Sequence, residues 1–184
     1  LKESVGDTKL FVSPAATLLP SLEVRPEETP IITDDALNSM LLALGEKSPL
    51  ETSILYITSD AGEGKTFLIN QMAKEQAQRF LDGKADWLLV PIPLGGKHFL
   101  RFDDITVGAL QNRYRFRYLY YDAFLALVRM GVIVPAFDGF EAMLVEGSSG
   151  EALSAMCIIV VPLDSSGTLV IAERKAYFEF ENLK

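Results

Sequence analysis

The apolar run Ile54-Leu55-Tyr56-Ile57 leads into Ser59-Asp60-Ala61-Gly62-Glu63-Gly64-Lys65-Thr66 and then into a helical pattern, with Phe67, Leu68, Met72, Ala73 and Ala77 near helical spacing. Strand, glycine-rich turn and helix in that order, closing on Gly-Lys-Thr, have the form of a phosphate-binding loop. Small residues let consecutive backbone N–H groups point inward, where they cradle phosphate oxygens at a helix N-terminus. Lys65 is then expected to reach the β and γ phosphates and Thr66 to place its hydroxyl on Mg²⁺, a hard cation that prefers oxygen ligands. The expected binding set is Ser59, Asp60, Ala61, Gly62, Glu63, Gly64, Lys65, Thr66 and Phe67. Ser59 stands where the motif has its first glycine, and a serine tolerates positive φ poorly, so a slightly different start to the loop is expected. A chance glycine-rich turn is the competing explanation, and the flanking strand and helix weigh against it.

A chain of 184 residues is long enough to bury a core of its own and suggests one domain with an arm. Its formal charge of −8 gives no electrostatic footprint for direct nucleic-acid binding. Arg113, Arg115 and Arg117 form a local basic patch, read as a solvated helix face or an interface edge. Cys157 is the only cysteine, which excludes an intrachain disulfide and fits a reducing compartment. No stretch reaches the ~18 apolar residues of a membrane span, so no membrane partner and a cytoplasmic location are expected. The start at Leu1 instead of Met points to a fragment of a longer protein.

Residues 1–32 carry Pro14, Pro20, Pro26 and Pro30, which break regular structure and predict an arm or linker ahead of a core at 33–184. Thr33 or Asp34 is expected to cap a helix through Glu46, its stripe formed by Leu37, Met40, Leu41 and Leu44. Strands are predicted at 53–58, 87–92, 132–137 and 168–172, with Pro91 pushing the second toward a sheet edge. Helices are predicted at 65–80, 103–112 and 118–130. The run 155–161 is ambiguous between strand and helix, and an α/β crossover favours helix. Gly95-Gly96-Lys97 reads as a chain reversal, Gly147-Ser148-Ser149-Gly150 as a loop, and His98 as structural. No His/Cys constellation could hold zinc.

A phosphate loop alone binds nucleotide, and turnover needs an acidic element near Mg²⁺ and an activated water. Asp138, at the carboxyl end of a buried strand, is the candidate for holding Mg²⁺ with Thr66, because open α/β sheets bind ligands at that edge. An ordinary Asp-Gly turn is the alternative.

The segment Val132-Ile133-Val134-Pro135-Ala136-Phe137-Asp138-Gly139-Phe140-Glu141 resembles the Walker B element of the NACHT and wider STAND class of P-loop NTPases. Ala61-Gly62-Glu63-Gly64-Lys65-Thr66 resembles their Walker A loop, and Leu169-Val170-Ile171-Ala172-Glu173-Arg174 the strand that ends in their sensor arginine. The resemblance covers residues 34–184 and implies an ATP- and Mg²⁺-dependent switch core of a larger innate-immune or antiphage-defence protein, whose lid is absent here and which forms homo-oligomers when ATP binds. Its acidic pair falls on Glu141 and Ala142, and Ala142 cannot polarise water. Either Glu141 takes over as the water-orienting base, or hydrolysis is impaired while binding persists. Arg174 is either a γ-phosphate sensor or a surface arginine.

The expected architecture is therefore a three-layer α/β P-loop NTPase core with a mostly parallel sheet, the last strand lying between the phosphate-loop strand and the Asp138 strand. The expected catalytic set is Lys65, Asp138, Glu141 and Arg174. Two rivals stand beside the ATPase: a small-molecule phosphotransferase, which would need an arginine-rich lid, and a degenerate scaffold that binds nucleotide without turnover.

Overall fold

The computed structural model describes residues 11–19, 29–46, 51–95, 102–143 and 157–176. His98, Gly96, Lys97 and the 147–150 loop lie outside the described residues, as does the side chain of Ala142.

Four strands form one parallel sheet: β3 (Ser53–Ser59), β4 (Leu88–Pro93), β5 (Ile133–Asp138) and β6 (Thr168–Arg174), in the order β3-β6-β5-β4. The last strand thus pairs with both the 53–59 strand and the strand that ends in Asp138, as the sequence predicts. β4, which carries Pro91 and Pro93, occupies the edge next to β5, where a missing N–H costs least. Side chains alternate between two faces. Leu169, Ile171, Ile133, Phe137, Val90 and Ile92 enter one core, and Val170, Ala172, Val134, Ala136 and Leu89 enter the other. A strand buried on both faces reads as a continuous apolar run, which is why these strands were visible in the sequence.

Helices cover each face. On one lie α1 (Ala36–Gly45) and α2 (Lys65–Leu81), which bury Leu37, Met40, Leu41, Leu44, Leu68, Ile69, Met72 and Ala73. On the other lie α3 (Phe102–Gly108), a π-helical turn (Ala109–Arg113), α4 (Tyr121–Arg129) and a 3₁₀ turn (Val161–Leu163). Residues 157–160, in the ambiguous run, are helical. No helix among the described residues is long and apolar enough to cross a membrane.

Three local expectations shift. The α1 cap is Asp35, whose carboxylate accepts the Asn38 N–H at 3.2 Å. Thr33 belongs to a strand instead, and its Oγ1 accepts the Asp35 N–H. Within the predicted arm, β1 (Ala16–Leu18) pairs antiparallel with β2 (Ile31–Thr33), and Phe11, Ala16 and Leu18 pack on the α1/α2 core. The predicted helix 118–130 begins only at Tyr121, because Arg115 and Tyr118 take positive φ, which ends any right-handed helix.

Candidate functional site

The carboxyl ends of the strands bring the candidate residues together. Ser59, the last residue of β3, lies opposite Arg174 in β6, while Asp138 pairs with Ala172 on one side and Pro93 on the other. A cavity of about 610 Å³ opens over this edge, lined in part by Gly62, Lys65, Thr66, Asp138, Glu141 and Arg174.

The 59–66 loop turns through Gly62 (φ 85°) and Gly64 (φ 89°), and Gly64 is the N-cap of α2. A Cβ at either glycine would meet open space, so conformation and not crowding selects glycine there. Ser59 is absent from the positive-φ residues, so its side chain causes no strain and the expected distortion at the start of the loop does not arise.

The Ser59 hydroxyl has acquired a role instead. Lys65 Nζ donates to Ser59 Oγ at 3.0 Å, to Ser59 O at 2.8 Å and to Asp60 O at 3.0 Å. All three ammonium hydrogens are thereby directed at the loop's own oxygens. Glu63 folds back likewise, its Oε2 accepting the Asp60 N–H at 2.8 Å. Phe67 is 41% exposed and leaves the apolar stripe predicted for α2, lining the cavity with its ring 5.6 Å from that of Phe11.

Thr66 Oγ1 donates to Asp138 Oδ2 at 2.6 Å, across 72 residues of sequence. Burial pushes the Asp138 carboxyl above the usual carboxylate range. The Thr66 hydrogen bond opposes that shift, Glu141 adds to it, and the charges of Lys65 and Arg113 oppose it. No group of three or more His, Cys, Asp or Glu that could cage a metal occurs among the described residues. Thr66 and Asp138 offer two oxygen ligands, which suits Mg²⁺, an ion held by one or two protein oxygens plus waters and substrate phosphates.

Glu141 and Arg174, read separately from the sequence, form an ion pair. Arg174 Nε lies 3.2 Å from Glu141 Oε1, the arginine 54% exposed and the glutamate 17%. Among the described residues nothing hydrogen-bonds the buried Glu141 Oε2. A buried acceptor without a partner is costly, and here its residue lines the cavity. The sequence signal for Arg113 was only its place in a basic cluster, yet its charge reaches Asp138 and its Nη2 lies 3.5 Å from Asn70 Oδ1 on α2. The chain matches no model of a known protein family and none of the curated proteins compared with it.

Proposed function

We propose that the chain is a P-loop NTPase core of the NACHT-like, STAND type that binds Mg-ATP and uses it to switch the conformation or assembly of a longer defence or signalling protein. The observation that carries this reading is the Thr66–Asp138 hydrogen bond at the mouth of a glycine-rich loop and the start of a helix. In this reading the two oxygens hold Mg²⁺, and the loop amides from Gly62 to Thr66 bind phosphate oxygens. Lys65 exchanges its contacts with Ser59 and Asp60 for the β and γ phosphates, so the loop oxygens act as placeholders for anionic ones. Bound Mg²⁺ supplies charge neutralisation between the phosphates.

Glu141 is the group that would orient water, and its pairing with Arg174 keeps one carboxylate oxygen occupied. That pairing also favours a second reading, a scaffold that binds nucleotide and turns it over poorly, since Ala142 has no carboxylate to take Glu141's place. Titration calorimetry with Mg-ATP tests both. Wild type is expected to bind only with Mg²⁺ present, and Lys65→Ala to weaken binding by roughly 100-fold, the loss of about two charge-assisted hydrogen bonds. Asp138→Asn should weaken binding even with Mg²⁺ present, because a neutral amide would replace the carboxylate that holds the ion. Absence of binding by wild type would refute the proposal. Single-turnover hydrolysis by Ala142→Glu then separates the two readings: a raised rate points to a missing water-polarising group, and an unchanged rate assigns that work to Glu141.

A further inference from the structure

Arg113 belongs to none of the elements read as a phosphate site, yet the fold sets it against Asn70, which lines the cavity, and within reach of the Asp138 charge. It closes the π-helical turn Ala109–Arg113, an irregularity that recurs at functional sites. Its guanidinium stands 5.5 Å from the centroid of the Tyr114 ring, and Tyr114 Oη donates to Pro91 O at 2.5 Å. The ring is thus tied to the edge strand whose end, Pro93, lines the cavity. The Nη2 group faces Asn70 Oδ1 at 3.5 Å, the limit of hydrogen bonding. Asn70 lines the same cavity and lies four residues beyond Thr66 on α2, about 6 Å along the same helix face. The guanidinium therefore contacts a residue one helical turn beyond Thr66, on the β4 side, while Arg174 is held by Glu141 near the end of β6.

We propose that Arg113 contacts the terminal phosphate of the bound nucleotide and so distinguishes a nucleoside triphosphate from a diphosphate. The inference rests on the reading of residues 59–66 as a phosphate loop. A phosphate chain gripped by that loop, with Mg²⁺ on Thr66 and Asp138, carries its terminal phosphate toward the metal side. Arg113 approaches from that side. The neutral Asn70 amide holds one of five guanidinium donors by a long contact, and an anionic phosphate oxygen competes with it favourably. Arg113 is exposed, so a swing from Asn70 to the phosphate breaks no packing in the core.

The test is the affinity of this chain for Mg-ATP and for Mg-ADP in wild type, Arg113→Ala, Arg113→Lys and Lys65→Ala, with thermal melting as the check on folding. Arg113→Ala should weaken Mg-ATP roughly tenfold and Mg-ADP less than about twofold, the worth of one charge-assisted hydrogen bond. Arg113→Lys should recover part of the difference, because it keeps the charge and loses the planar fork. Equal losses for both nucleotides, or none, in a folded variant would overturn the proposal while leaving the phosphate loop standing. If wild type binds neither nucleotide and Lys65→Ala behaves identically, both readings fall.

Discussion

Lys65 gathers three oxygens of its own loop, Thr66 gives its hydroxyl to Asp138, and Arg174 pairs with Glu141, so each candidate side chain already has a partner within the chain, which under the proposed function a phosphate or a metal ion would replace. Such contacts order the side chains in advance and lower the entropy cost of capturing a ligand. The Arg174–Glu141 pair is the one whose strength decides a question. Its arginine is half exposed, which limits the Coulomb gain, whereas the glutamate is mostly buried and suffers when its partner goes. A double-mutant cycle on Arg174→Ala and Glu141→Gln, read by urea unfolding, is expected to give a coupling of about 1 kcal/mol or less. Arg174→Ala alone should destabilise more than Glu141→Gln alone, because it leaves a carboxylate with no partner beside the orphaned Oε2. The turn between β3 and α2 was legible residue by residue, since the positive φ of Gly62 and Gly64 and the helix start at Lys65 are local features of consecutive residues. Ser59 was not, because its usefulness comes from where the Lys65 ammonium folds back.

Among the elements, the π-helical turn and the segment after it show how an irregular stretch is held. Phe116 N–H donates to Leu110 O, Gln111 Nε2 to Leu119 O, and Tyr114 Oη to Pro91 O, while Arg115 and Tyr118 keep positive φ. Bulky residues in that conformation cost of order 1 kcal/mol each or more and persist only where neighbours over-determine them. A plain helix over 103–112 was the expectation because apolar spacing does not separate α from π winding. Burial pushes the Tyr114 hydroxyl up to about 12, partly offset by the Arg113 charge. Burial, with Glu173 adding to it, does the same at Tyr56. Both folded values lie above the ordinary 10.0, so the folded chain holds these protons more tightly than the unfolded chain. Their stabilising contribution is complete below pH 10 and is lost as pH rises to about 12. Chemical unfolding at a series of alkaline pH values should show that fall, and Tyr114→Phe should make it shallower. At neutral pH the same variant should cost about 1 kcal/mol, because Pro91 O loses its donor.

Over the whole molecule, the two cores depend on turns that dock the helix layers onto the sheet. Gly167 lies just before β6 with φ 83°, its carbonyl accepting the Ser53 N–H at 3.0 Å. A Cβ there would stand 2.9 Å from the Val128 backbone oxygen of α4. Strain in φ and a clash with backbone act together, so Gly167→Ala is expected to destabilise by at least about 2 kcal/mol. The check is a lower urea midpoint at unchanged slope. The edge position of β4 and the two-sided burial of β5 and β6 were foreseeable, because continuous apolar runs and proline placement are local properties of a chain, whereas the place of β6 between β3 and β5 was expected only from the family resemblance. From the sequence alone came the strand-loop-helix unit at 53–81, the alternation of buried strands with helices, and the strand that delivers Asp138. The sequence also placed Asp138 beside Thr66, but only the tertiary structure decided that the two hydrogen-bond directly, that Arg174 is bound to Glu141 and that Arg113 reaches Asn70. Each of those pairs joins residues far apart in sequence, and such contacts are set by sheet register and helix docking, which no local pattern encodes.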